Sequence, residues 1–182
     1  MKIPLTLITL GCTLLLLLSW DVTSSEDDEH FFPRSSEMSM IKNERYVAEC
    51  ASCHMAYPPG LLPARSWQKI MSNLDNHFGE DASLDAATLT ELTHYLTDNS
   101  AENSSARYAK KAQRRLAADE TPLRITGLAF FRREHAELPV RLYRDNPKVG
   151  SLSNCTACHS RAENGSFRER EIDIPGFGRW DD

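Results

Sequence analysis

Apolar residues along this chain fall into stretches of different period, and each period predicts a different element. From Leu5 to Leu18 they run on with only Thr and Gly between them, behind a single Lys2. That is the pattern of a secretory signal, with Val22-Thr23-Ser24 offering small residues for cleavage. The run from Ile3 to Trp20 also approaches the length of a membrane span, so an uncleaved anchor is the alternative. Residues 25–39 then carry Asp27, Asp28 and Glu29 and no apolar period, which predicts a flexible acidic leader.

Helical periodicity begins near Ile41 and predicts a helix to about Glu49. Pro58, Pro59, Gly60 and Pro63 break it, so Met55 to Arg65 reads as a loop. Ser66 is a candidate cap for a second helix, in which Trp67, Ile70, Met71, Leu74 and Phe78 share one side with His77 among them, and Gly79 ends it. Asp85 caps a third helix, with Leu84 and Leu89 placed as a hydrophobic staple and Leu89, Leu92 and Leu96 as its apolar side. The polar stretch 99–105 reads as a linker. Tyr108, Ala112 and Leu116 then recur every fourth residue in a basic helix. Beyond Pro122 the period fades among Pro139, Pro147, Gly150, Gly165, Pro175, Gly176 and Gly178, which predicts a loop-rich remainder.

Charge sharpens this division. Residues 25–105 hold 5 Lys and Arg against 14 Asp and Glu, a net of −9, whereas residues 106–182 hold 15 against 11, a net of +4. Two halves with different electrostatic faces could dock different partners, or the basic excess could be one solvated helix. The expected organisation is residues 1–24 as signal peptide or anchor, 25–39 as leader, 40–98 as a first domain, 99–105 as linker and 106–182 as a second domain.

The chemistry is carried by four of the five cysteines. Cys50-Ala51-Ser52-Cys53-His54 and Cys155-Thr156-Ala157-Cys158-His159 are both Cys-x-x-Cys-His, the signal for c-type haem attachment. Two thiols at that spacing form thioethers with the two vinyl groups of one porphyrin, and the adjoining His binds the iron. A Cys-x-x-Cys pair alone could be a redox dithiol or half of a zinc site, but a His directly after both pairs serves neither. The cofactors expected are therefore two covalently bound haem c groups, with Cys50, Cys53, Cys155 and Cys158 as anchors and His54 and His159 as iron ligands. Attachment of this kind occurs outside the cytoplasm, in agreement with the signal pattern. Halves this small bury little apolar surface unaided, so the porphyrins should form part of the core.

The sixth iron position decides between carrying electrons and admitting a small molecule. For the first haem, His77 is preferred because an imidazole on an apolar stripe needs a partner. Met71 is its rival, with core packing as its other role. His94 lies about 200° around the helix from Leu92 and reads as solvated, and His30 falls in the leader. For the second haem the candidate is His135, following Phe130 and Phe131, against the alternative of a surface histidine. Arg65 and Trp67 could hold a propionate.

The first motif followed by Tyr57-Pro58-Pro59, Leu61-Leu62-Pro63, Arg65-Ser66-Trp67 and His77-Phe78-Gly79-Glu80-Asp81-Ala82 resembles the bacterial periplasmic dihaem cytochromes c. Arg133-Glu134-His135, Val149-Gly150-Ser151, the second motif and Ile172 to Pro175 extend the likeness. The resemblance implies a mainly α fold with two small haem-binding lobes, the first similar to a class I cytochrome c and the second irregular. It implies bis-His ligation, pairing His54 with His77 and His159 with His135. It also implies a membrane b-type cytochrome as electron donor and a small oxygen-binding monohaem cytochrome as acceptor, with no nucleic acid among the partners. The expected protein is a periplasmic electron carrier of low potential, because His in place of Met lowers the potential. The rival is a small dihaem enzyme or gas binder in which one axial His is labile.

Overall fold

A computed structural model describes residues 43–180. The expected signal segment and leader, with Cys12, His30, Met38 and Met40, lie outside the described residues. Among the described residues, five α-helices and a short strand pair make up the regular structure: α1 (Glu44–Cys50), α2 (Ala64–Met71), α3 (Ala86–Asp98), α4 (Arg107–Gln113), α5 (Ala129–Glu134), β1 (Asp173–Ile174) and β2 (Gly178–Arg179). Short 3₁₀ turns fill much of the rest, as the Pro- and Gly-rich second half predicts. No helix among the described residues is long and apolar enough to cross a membrane.

Helix α1 starts where Asn43 can cap it, its side-chain oxygen accepting from the Tyr46 amide at 2.9 Å. It ends on Cys50, so the first haem motif begins on the last helical residue. Buried Tyr46 donates its hydroxyl to the Tyr57 carbonyl at 2.8 Å and fixes the loop beyond the motif.

Helix α2 differs from expectation at both ends. It starts two residues before Ser66, with Pro63 in the cap position, and Ser66 is wholly buried in its first turn. The carboxylate of Glu102 accepts from the Ala64 amide at 3.0 Å, so the helix is capped from 38 residues away by a group that no local pattern could reveal. At the other end the helix stops at Met71 instead of reaching Gly79. Ser72 and Asn73 turn their side chains onto nearby main-chain carbonyls, the competition that disfavours both residues inside helices. A 3₁₀ turn at Leu74–Asn76 follows, then a tight reversal in which the His77 and Glu80 main chains bond reciprocally. Phe78 and Gly79 both take positive φ at the tip, 58° and 106°, as a type I′ turn requires. Phe78 is consequently 47% exposed and not on the apolar side of a helix.

Helix α3 conforms. Asp85 accepts from the amides of Ala87 and Thr88 at 3.0 Å, Leu92 and Leu96 are fully buried, and Leu84 and Leu89 pack against the same core. Helix α4 turns Ala109 and Ala112 inward and keeps Lys110 outside, but it ends before Leu116. One apolar cluster takes in Tyr46, Trp67, Met71, Leu92 and Leu96 together with Ala112, Leu128, Phe130 and Phe131, from both sides of residues 99–105. Within that polar stretch Ser100 and Ala101 are buried, and the Ala101 amide donates to the Leu62 carbonyl at 2.9 Å.

Trp67 is the largest donor inside this core, its indole N–H reaching the Pro59 carbonyl at 2.8 Å. Trp67→Phe keeps most of the apolar contact but removes the shorter of two hydrogen bonds to the buried Pro59 carbonyl, which then accepts only from the Leu62 amide at 3.3 Å. It should cost the haem-loaded protein about 1 kcal/mol in denaturant unfolding, the net worth of one hydrogen bond. Unchanged stability would mean that the Leu62 amide alone satisfies the carbonyl.

Candidate haem sites

The first site is built from the end of α1 and the turn that follows α2. Cys50 is half-buried at the helix end, while Cys53 and His54 lie exposed in the succeeding turn. His54 Nδ1 lies 2.7 Å from the Met55 carbonyl. A carbonyl can only accept, so Nδ1 carries the proton and Nε2 keeps its lone pair for a metal. Tyr57 stacks on the His54 ring, centroids 4.8 Å apart and planes 24° apart. The reversal after α2 brings His77 in from the other side, its ring centroid 6.2 Å from that of His54. Phe78 sets an edge against His77, and the Arg124 guanidinium lies 4.0 Å above the Phe78 ring. Burial, then the nearby His54 and Arg124, lower the His77 pKa, favouring the neutral imidazole that binds metals.

The second site is more enclosed. Phe130 and Phe131 are buried on α5, and His135 closes the helix, its Nδ1 2.9 Å from the Phe131 carbonyl. Phe131 stacks on the His135 ring at 4.0 Å with planes 17° apart. The second motif forms a 3₁₀ turn at Cys155–Ala157 that delivers His159, and the Asp173 amide donates to the Cys158 carbonyl at 2.9 Å. The His135 and His159 centroids are also 6.2 Å apart. A cavity of about 990 Å³ opens beside them, lined by both cysteines and both histidines along with Leu152, Phe167, Ile172 and Trp180. Burial, then His135, hold the His159 imidazole down at about 4, so it is neutral, and its buried Nδ1 has no partner among the described residues.

These residues fit a porphyrin. A metal between two imidazoles, with ~2.0 Å bonds and ~1.1 Å from each nitrogen to its ring centroid, sets the centroids ~6 Å apart. Both histidine pairs have that spacing, whereas direct packing of two rings has no need of it. The four described cysteines are free. Burial pushes the Cys50 and Cys155 thiols up to about 11, the opposite of the lowered pKa that activates a redox dithiol.

Other candidates fall elsewhere. Met71 is buried in the apolar cluster, and His94 is exposed on α3. The one Trp67 donor is engaged inside the core, and three of the five Arg65 N–H groups are held by protein acceptors. Arg65 donates to the Glu120 and Ala117 carbonyls at 2.7 and 3.1 Å and pairs with Glu102, and the Trp67 N–H is spent on Pro59. Three aromatic residues at the sites escape sequence reasoning: Tyr57 on His54, Phe167 against His159, and Trp180 in the cavity wall. The position of Tyr57 near the first motif hints at its contact there. Nothing in local spacing places Phe167 or Trp180.

Residues 46–167 match the dihaem cytochrome c family. Among solved structures the chain is similar to a diheme cytochrome c from Shewanella baltica, with 47% identity and a TM-score of 0.65 over 76% of this chain and 98% of that one. It is also similar to a diheme cytochrome c from Rhodobacter sphaeroides, with 48% identity and a TM-score of 0.63 over 70% of this chain and 98% of that one. No curated protein sequence matches it.

Proposed function

Because the chain belongs to the dihaem cytochrome c family and so holds two covalently bound haem c groups, we propose that it is an exported electron carrier in which both irons have two histidine ligands. When bound, the haems supply one-electron Fe(III)/Fe(II) couples. Cys50 and Cys53 anchor one and Cys155 and Cys158 the other, with His54 and His77 as ligands at the first iron and His159 and His135 at the second. The single observation that carries this reading is the 6.2 Å spacing repeated in both histidine pairs.

The surrounding side chains act to keep both imidazoles in place. Main-chain carbonyls hold Nδ1–H of His54 and His135, which orients each ring and raises its basicity. Stacked Phe131 and edge-on Phe78 limit the rotation of the two distal imidazoles. Held by two imidazoles each, with His54 and His77 at one haem and His159 and His135 at the other, the irons would leave no position for oxygen or peroxide and would favour the ferric state, which supports low potentials. A membrane b-type cytochrome as donor and a small oxygen-binding monohaem cytochrome as acceptor suit such potentials. The net charges of −9 and +4 in residues 25–105 and 106–182 support docking of partners that differ in charge. The signal pattern at the N-terminus supports a periplasmic location.

Carbon monoxide tests the ligation. The absorption spectrum of the reduced, haem-loaded protein should not change on adding the gas. A shift at either haem would reveal a labile position and favour the peroxidase-like or gas-binding alternative, with His135 the first ligand to examine.

A further inference from the structure

Tyr57 touches the first haem motif and the chain just before the second. Its ring stacks on His54, and its hydroxyl donates at 2.8 Å to the carbonyl of Ser153, 96 residues away in sequence and two before Cys155. One side chain therefore joins an iron ligand of the first site to the main chain two residues before the thioether-forming Cys155 of the second.

Both ends of this link are braced. Buried Tyr46 holds the Tyr57 carbonyl, and buried Pro58 follows it, so the ring has little freedom. On the far side, the Ser151 and Ser153 hydroxyls bond at 2.8 Å, and Asn154 Nδ2 donates to the Val149 carbonyl at 3.2 Å. Phenylalanine could supply the stacking but not the reach to Ser153.

We infer that Tyr57 is the side chain that couples the two haems, joining the His54 ring, by stacking, to the Ser153 carbonyl two residues before Cys155. This rests on the electron-carrier reading and adds to it the residue that sets internal transfer. In that transfer one electron leaves the ferrous iron of one site, which becomes ferric, and reduces the ferric iron of the other. Tyr57 is neither oxidised nor deprotonated.

The alternative role is a staple that merely holds the halves together, and Tyr108 provides the control. Its hydroxyl donates to the Phe167 carbonyl at 2.9 Å, a bond of the same kind that does not join the two motifs. The experiment pulse-reduces haem-loaded wild type, Tyr57→Phe and Tyr108→Phe with less than one electron per molecule. It follows redistribution between the haems, and each potential and the carbon monoxide response are recorded on the same samples.

Tyr57→Phe should slow redistribution several-fold while both potentials and the gas-insensitive spectrum stay as in wild type, and Tyr108→Phe should not slow it. Should Tyr57→Phe not accumulate with both haems, Tyr57→Trp keeps a stacked ring, cannot place an O–H on Ser153, and carries the same expectation. An unchanged rate, or equal slowing by both tyrosine variants, overturns the assignment. Failure of the carrier reading would appear separately, as gas binding by the wild type, and would leave the rate comparison intact.

Discussion

A chain made without either haem, with Cys50, Cys53, Cys155 and Cys158 replaced by serine, should show no cooperative thermal transition and little near-ultraviolet dichroism. The second site supplies the reason. Leu138, Leu152, Phe167, Ile172 and Trp180 line the cavity of about 990 Å³ and are only partly buried by protein. Covering the exposed part of each contributes about 1 kcal/mol, and five together contribute about 5 kcal/mol. Total stability for a domain of this size is about 5–15 kcal/mol, so losing the cover removes a large part of it.

The short 3₁₀ turns that carry Cys155–Ala157, Ala162–Asn164 and Glu169–Glu171 have little propensity of their own to replace it. Restoring only Cys50 and Cys53 should recover helical dichroism from α1 to α3 before any order in residues 129–180, because Trp67, Met71, Leu92 and Leu96 pack with one another there. A single sharp calorimetric transition in the four-serine chain would sink this expectation.

Legibility of the chain follows how local the causes are. Helix α3 was readable throughout because Asp85, Leu92 and Leu96 act within one helix. Both haem motifs were readable because thioether chemistry demands a fixed local spacing. His77 was picked out as a candidate ligand for a reason that the fold does not use. It sits in a type I′ turn and not on a helical stripe, since Ser72, Asn73 and Asn76 end the helix first. The start of α2 was misplaced because its cap, Glu102, comes from another part of the chain. Tyr57, Phe167 and Trp180 were missed for the same cause. Their roles depend on pairings across tens of residues, such as Tyr57 with Ser153, and on a cavity whose lining is drawn from scattered positions between Leu61 and Trp180.

Replacing His135 by methionine should raise the potential of the second haem by roughly 0.2 V, a modest part of the ~0.8 V that axial ligands command. Nitrogen ligands favour the ferric ion, whereas a thioether favours the ferrous one. The geometry makes His135 the more informative of the two distal histidines. Its ring is held by Phe131 stacking at 4.0 Å and by Nδ1–H donation to the Phe131 carbonyl at 2.9 Å, and methionine can make neither contact in the same form. If the longer side chain still reaches the iron, a redox titration records the upward shift at one haem while the other keeps its potential. If it does not reach, the second haem becomes open and the reduced protein binds carbon monoxide. Both results require His135 to be the ligand. A second haem with unchanged spectrum and potential would remove it from that position and, with it, the significance of its 6.2 Å approach to His159.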